Sequence, residues 1–111
     1  MAETSVKQYA GSEPSSSDVQ KMRGPVVLEF GTSWCGVCRR AQPLIAQGMA
    51  TCSDIAHIKI EDGSGRRLGR LFRVKLWPTL VFLKDGKEQA RVVRPQSVES
   101  IKAALALIAA A

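Results

Sequence analysis

No apolar run in this 111-residue chain approaches the roughly 20 residues that carry a helix across a bilayer, which excludes a helical membrane protein. The first 22 residues are polar and Ser-rich, with Glu3 and Glu13 and no apolar centre. That is not a secretory signal, and the expected compartment is the cytoplasm. No segment repeats and no composition break marks a second domain, so 1–111 reads as a single domain with 1–15 a loosely ordered N-terminal segment. Its length is enough to bury a core without disulfide staples. Aromatic side chains make up only 5% of the chain, and none interleaves with Arg66, Arg67 and Arg70 for base stacking. The net charge of +6 therefore does not indicate a nucleic-acid binder. Those arginines, with Arg73, read as the solvated face of a helix whose charge can steer acidic protein partners.

Cysteine is scarce as well. There are three, and two of them stand in Trp34-Cys35-Gly36-Val37-Cys38. A pair so spaced can be half a zinc site, a structural disulfide, two inert thiols or a redox centre. A reducing compartment argues against a persistent structural disulfide.

Local patterns place this pair. Gly11 to Ser17 is a loop by composition, with Ser16 or Ser17 capping a short helix that carries Val19 and Met22, and Gly24-Pro25 stops it. Val26 to Phe30 is nearly continuous in apolar residues, as in a strand buried on both faces. From Cys35 the spacing of Cys38, Ala41, Ile45 and Met49 predicts a helix that ends near Met49 to Thr51 and is kinked by Pro43. His57 to Glu61 alternates as a short strand, and Gly65 to Val74 predicts an amphipathic helix through Leu68, Leu71 and Phe72. Asp85-Gly86 between two apolar runs is a hairpin signal. Val98, Ile101, Leu105 and Ile108 form the stripe of a last helix capped by Ser97. A further short strand around Val6 to Tyr9 would open the order. The result is an α/β fold: a central mixed sheet with a C-terminal antiparallel hairpin and helices on both faces.

Cys35 thus lies at a helix N-terminus, where unpaired N–H groups and the macrodipole favour an anion. Its pKa falls toward neutrality and the thiolate becomes available as a nucleophile. Cys38, one turn on, is close enough to attack a mixed disulfide formed at Cys35. Trp34 and Gly36 suit a shallow turn that another protein can approach. Zinc is the rival, since Cys35, Cys38, Cys52 and His57 nominally offer four ligands. The intervening helix of roughly 14 residues is about 21 Å long and carries Cys52 to the far end, out of reach. Cys52 then reads as a small packed residue with a regulatory role as the alternative, and His57 as a structural or surface polar residue. Glu29, in a strand otherwise reading as buried, is expected to have a raised pKa suited to acid-base work.

At these residues the chain resembles the thioredoxin family. "VVLEFGTSWCGVCRRAQPLI" is similar to the family's strand, motif and kinked helix, and "VKLWPTLVFLKDGKE" to its proline loop and hairpin; the resemblance covers roughly residues 24–108. It implies a thioredoxin fold and a protein-disulfide reductase acting in cell redox homeostasis through a redox-active Cys35–Cys38 disulfide. It also implies a cis bond at Pro78 packed against the motif, with the backbone at Trp77 binding an extended substrate strand, and proton exchange between Glu29 and Cys38. Substrate contact falls to Trp34, Gly36, Val37, Trp77 and Pro78. The implied partners are disulfide-bearing proteins and a reductant such as a thioredoxin reductase or glutathione system, with the chain a monomer that uses no cofactor or metal. A redox-sensing interaction module or chaperone with little turnover is the alternative.

The departures are specific. Val37 replaces the usual proline and supplies no cation, pointing to a reductant or a middling exchanger. Glu29 is one methylene longer than the usual aspartate. Gly31 stands where an aromatic is common, Trp77 is bulkier than the usual residue, and Arg94-Pro95 replaces a glycine of the substrate groove.

Overall fold

The apolar run after Gly24 becomes the central strand of the molecule. In the computed structural model, which describes residues 6–10 and 13–109, β1 spans Val6–Ala10, α1 Ser16–Lys21, β2 Pro25–Gly31 and α2 Gly36–Ala50. These are followed by β3 (Ala56–Glu61), α3 (Leu68–Leu71), β4 (Thr79–Lys84), β5 (Lys87–Val93) and α4 (Val98–Ile108). The strands form one five-stranded sheet in the order β1-β3-β2-β4-β5. β1, β3 and β2 run parallel, while β4 and β5 are antiparallel to their neighbours. This is the mixed sheet with a terminal hairpin expected from the alternation of elements.

Side chains of β2 alternate across the sheet and feed two cores. Val27 joins Ile45, Met49, Leu80, Phe82 and Ile101 beneath α2 and α4. Val26, Leu28 and Phe30 join Val19, Ile60, Leu68 and Val81 on the opposite face, beneath α1 and α3. Each fully buried Leu, Ile or Phe contributes about 1.5–3 kcal/mol of transfer free energy. Glu29 follows Val27 in the alternation and so lies on the α2 face, fully buried. That places a carboxylate directly under the helix that begins at Cys35.

The ends of the elements follow local chemistry. The hairpin turns at Asp85 (φ 51°) and Gly86 (φ 80°), both left-handed as a two-residue turn of this hand requires. Asp85 Oδ1 also accepts from the Gly24 N–H at 2.8 Å, tying the turn to the start of β2. Ser97 caps α4 by accepting from the Ser100 N–H at 3.2 Å, as predicted.

Two expectations need correction. The cap of α1 is Ser15, just before the predicted Ser16 or Ser17, and it forms a reciprocal box with Asp18. The predicted ten-residue helix over 65–74 shrinks to α3, four residues. Arg73 adopts φ 58°, and the Val74 N–H bonds to the Gly69 carbonyl at 2.8 Å while the Arg73 N–H bonds to that of Arg70 at 3.0 Å. This pair of bonds is a Schellman termination, with Val74 folded back toward Leu68 in the core. The short strand expected around Val6 to Tyr9 is present as β1, extended to Ala10 and lying parallel along the β3 edge, within the 1–15 segment read as loosely ordered. Residues 1–5 and 11–12 of that expectation lie outside the described residues.

Candidate active site

Cys35 is the N-cap of α2. Its extended backbone (φ −82°, ψ 118°) turns the chain from the loop after β2 into the helix, and its sulfur accepts from the Cys38 N–H at 3.2 Å. Burial alone would raise its pKa. Hydrogen bonds to the Cys38 side chain and to the Cys38 and Val37 N–H groups, with the charge of Arg94, outweigh burial and hold the thiol below its ordinary value. Cys38 is in the opposite state. It is completely buried, and burial together with the hydrogen bond to Cys35 pushes its pKa up to about 11, against weaker opposing bonds from the Thr32 backbone and Tyr9. Both are free thiols.

Above the pair, Trp34 is 70% exposed and packs edge-on to Trp77 with centroids 5.7 Å apart. Trp77 is fixed in turn by its indole N–H, which donates to Asp62 Oδ2 at 2.9 Å. The Trp77–Pro78 bond is cis and Pro78 is buried. Gly36 is exposed and Val37 half-buried on the first turn of α2. Arg94 occupies a left-handed position (φ 50°); its Nε donates to the Trp77 carbonyl at 2.8 Å and its N–H to the Pro78 carbonyl at 2.9 Å. The side chain that replaced a glycine is therefore tied to the proline loop and places a guanidinium near the nucleophile.

Below the pair lies a polar network that sequence reasoning found only in part. Glu29 Oε1 lies 2.7 Å from His57 Nε2. Its Oε2 accepts from Gln42 Nε2 at 2.9 Å and from the Tyr9 hydroxyl. Gln42 Nε2 also donates to the Cys38 carbonyl at 2.9 Å, and Lys59 Nζ donates to Gln42 Oε1. Burial pushes the Glu29 pKa up, but the bonds and charge of His57, with those of Tyr9 and Gln42, prevail and hold it below the ordinary carboxylate range. The raised value expected from burial is thus overturned. Buried carboxylates titrate by their partners as much as by their depth, and those partners come from three other elements.

A family model described as Thioredoxin matches residues 6–107. The chain belongs to the thioredoxin family. Among solved structures, thioredoxin 2 of Pseudomonas aeruginosa in its reduced form is 48% identical and superposes with a TM-score of 0.83, covering 92% of this chain and 95% of that one. Thioredoxin H-type 1 of Nicotiana tabacum is 35% identical over 74 residues, covering 67% of this chain and 59% of its own. Thioredoxin H2-1 of Oryza sativa is 32% identical over 68 residues, covering 61% of this chain and 49% of its own. The match thus spans about half to three-fifths of those two plant relatives, and nearly all of the bacterial one.

Within this thioredoxin fold, the sequence-selected residues separate into two layers. Trp34, Cys35, Gly36, Val37, Trp77 and Pro78 form the surface turn and its facing loop, while Glu29 and Cys38 lie beneath. Tyr9, Gln42, His57 and Lys59 are the residues that sequence reasoning missed as part of the site. For His57 a signal was present: parallel pairing of Val27 with His57 and Glu29 with Lys59 puts all four on one face of the sheet. Cys52 remains apart at the far end of α2, and among the described residues no group of three His, Cys, Asp or Glu side chains is placed to hold a metal.

Proposed function

We propose that the protein is a thiol–disulfide oxidoreductase that reduces protein disulfides through Cys35 and Cys38. The observation that carries this reading is the asymmetry of the pair. One thiol is accessible with a lowered pKa at a helix N-terminus, and the other is buried one turn away with a raised one. The accessible thiolate attacks a substrate disulfide, forms a mixed disulfide at Cys35 and expels the first substrate thiol. Cys38 then loses its proton and attacks Cys35, closing the Cys35–Cys38 disulfide and releasing the second substrate thiol. Glu29, kept ionised by its partners, accepts that proton. The transfer is uphill, and it is completed as the Cys38 thiolate is consumed in the attack.

Substrate contact is assigned to Trp34, Gly36 and Val37 on one side and the Trp77-Pro78 backbone on the other. Partners of the reaction are disulfide-bearing proteins and an electron source such as a thioredoxin reductase or glutathione system, with the protein working as a monomer in cytoplasmic redox homeostasis. Insulin reduction tests the mechanism: Cys35→Ser should abolish turnover, and Cys38→Ser should accumulate mixed disulfides that a pull-down can identify. Retention of turnover by both variants would refute it. A redox-sensing module would instead bind specific partners with negligible turnover when reductant is supplied.

A further inference from the structure

Gly31, at the end of β2, is the key to an arrangement that the reaction above leaves open. Glu29 Oε1 is engaged by His57 and Oε2 by Gln42 and Tyr9, so a group already bonded to Oε2 can hand a proton from Cys38 to the carboxylate. A Cβ placed on Gly31 would lie 2.7 Å from Cys38 Sγ and 2.8 Å from the Tyr9 hydroxyl oxygen. The missing side chain therefore leaves a space that the thiol and the phenol share. Tyr9 reaches into it from β1, and its hydroxyl bonds to Glu29 on one side and faces the Cys38 sulfur on the other. Gln42 offers an amide, which donates but does not pass a proton on. A hydroxyl does both.

We propose that Tyr9 is the proton carrier between the Cys38 thiol and Glu29 in the resolving step. The S–H proton of Cys38 moves to the Tyr9 oxygen as the Tyr9 O–H proton moves to Glu29 Oε2. This leaves a Cys38 thiolate, a neutral tyrosine and a neutral Glu29. The thiolate forms its bond to Cys35 Sγ, the bond between Cys35 and the substrate sulfur breaks, and the substrate leaves as a thiolate. The dithiol is oxidised to the Cys35–Cys38 disulfide and the substrate disulfide reduced to two thiols. Glu29 then gives up its proton to water while the departing thiolate takes one up. This step rests on the assignment of Glu29 as the proton acceptor.

The surroundings suit a carrier that stays neutral. Burial, followed by the charge and hydrogen bond of Glu29, drives the Tyr9 pKa far above its ordinary value, so the phenol relays a proton without ionising. The groups around it are Glu29 from β2, Cys38, Arg39 and Gln42 from α2, and Lys59 from β3, its ammonium 5.3 Å from the ring centroid, while His57 of β3 bonds the other oxygen of Glu29. An open cavity of about 470 Å³, lined by Tyr9, Thr32, Cys38, Arg39, Gln42 and Lys59, connects this network to solvent and gives the proton an exit.

Rapid acid quench of the reduced protein with glutathione disulfide, read by mass spectrometry, measures formation and decay of the mixed disulfide separately. Tyr9→Phe keeps the ring and removes the hydroxyl. It should slow decay by about 100-fold or more, the low end of a lost general acid-base contribution, while alkylation of Cys35 by iodoacetamide is unchanged. Glu29→Gln should slow decay as well, and the double variant should be no slower than the slower single one. The proton inventory of decay in mixed H₂O and D₂O should be curved for the wild type, with two protons in flight, and linear for Tyr9→Phe. If Glu29→Gln is slow but Tyr9→Phe decays at the wild-type rate, the Glu29 assignment stands and the tyrosine relay is overturned. If neither is slow, both fall. Additive slowing, or slowing with a curved inventory, marks a structural role for Tyr9 and also overturns the relay. Gly31→Ala, which crowds the shared space while leaving the hydroxyl in the chain, gives an independent second disruption with the same expected slowing.

Discussion

Glu29 and Arg94 show how far single residues depart from what their type suggests. A buried carboxylate is ordinarily hard to ionise, yet Glu29 carries bonds from His57, Gln42 and Tyr9 that reverse the effect of burial. Its folded-state pKa lies below the unfolded one, so the ionised group contributes stability that is complete above the ordinary carboxylate pKa and lost as pH falls through the folded value. Urea denaturation as a function of pH should show this acid loss in the wild type, and Glu29→Gln should flatten it. An unchanged acid limb would mean that Glu29 is not the titrating group. Arg94 combines a left-handed backbone with proximity to Cys35. Arg94→Gly relieves a conformation that costs a non-glycine residue about 1–2 kcal/mol and removes a charge that favours the Cys35 thiolate. The expected outcome is unchanged or slightly higher stability with the Cys35 pKa moved up toward that of an ordinary thiol, read from the pH dependence of thiolate absorbance. At this scale the cysteine pair and Glu29 were legible as candidates, and Arg94 only as a departure from a glycine of the groove. The actual pKa of Glu29 was not, because Tyr9 and His57 lie 20 and 28 positions away and meet it only through sheet pairing.

At the scale of elements, periodicity located β2, α2, the hairpin and α4, because each carries an uninterrupted apolar pattern with a chemical stop at its end. It overextended α3, whose pattern runs on to Phe72 although Arg73 takes a left-handed turn that ends the helix. Apolar spacing records which residues face the core, and a chain folding back through a Schellman turn presents Phe72 and Val74 to the same core without remaining helical. β1 was legible as a short strand around Val6 to Tyr9, and its pairing along the β3 edge extends it to Ala10. The contact of α2 with α4 was invisible in sequence and makes its own prediction. A Cβ on Gly48 would lie 2.6 Å from Ile101 Cγ2 and 2.9 Å from its Cβ, so the helices approach as closely as they do because position 48 has no side chain. Gly48→Ala gains about 1 kcal/mol of helix propensity and incurs an overpacking strain of about 1–3 kcal/mol. The rigid Cβ contact favours strain, and a fall in the urea midpoint at constant m-value should report net destabilisation; a rise would show that the helices part easily.

For the molecule as a whole, the fold class was legible because strand and helix patterns alternate and then give way to a hairpin, which leaves few ways to order one sheet. Net charge was legible too, but its use depends on where the fold puts it. Of the +6 total, the cations nearest the reactive turn are Arg39 and Arg40 on the first turns of α2, both exposed, and Arg94 beside the proline loop. An approaching disulfide flanked by acidic residues meets a positive rim, and its encounter rate rises at low salt. Surface fields of this kind fade beyond a Debye length, about 10 Å at 0.1 M salt. Two disulfide peptides of equal length, one flanked by Asp and one by Lys, separate this effect from general salt sensitivity. With the acidic peptide, kcat/KM should fall as salt is raised. With the basic peptide it should rise, and Arg94→Gly should reduce both slopes. Equal slopes for the two peptides would show that the charge of the domain has no bearing on which disulfides it meets first.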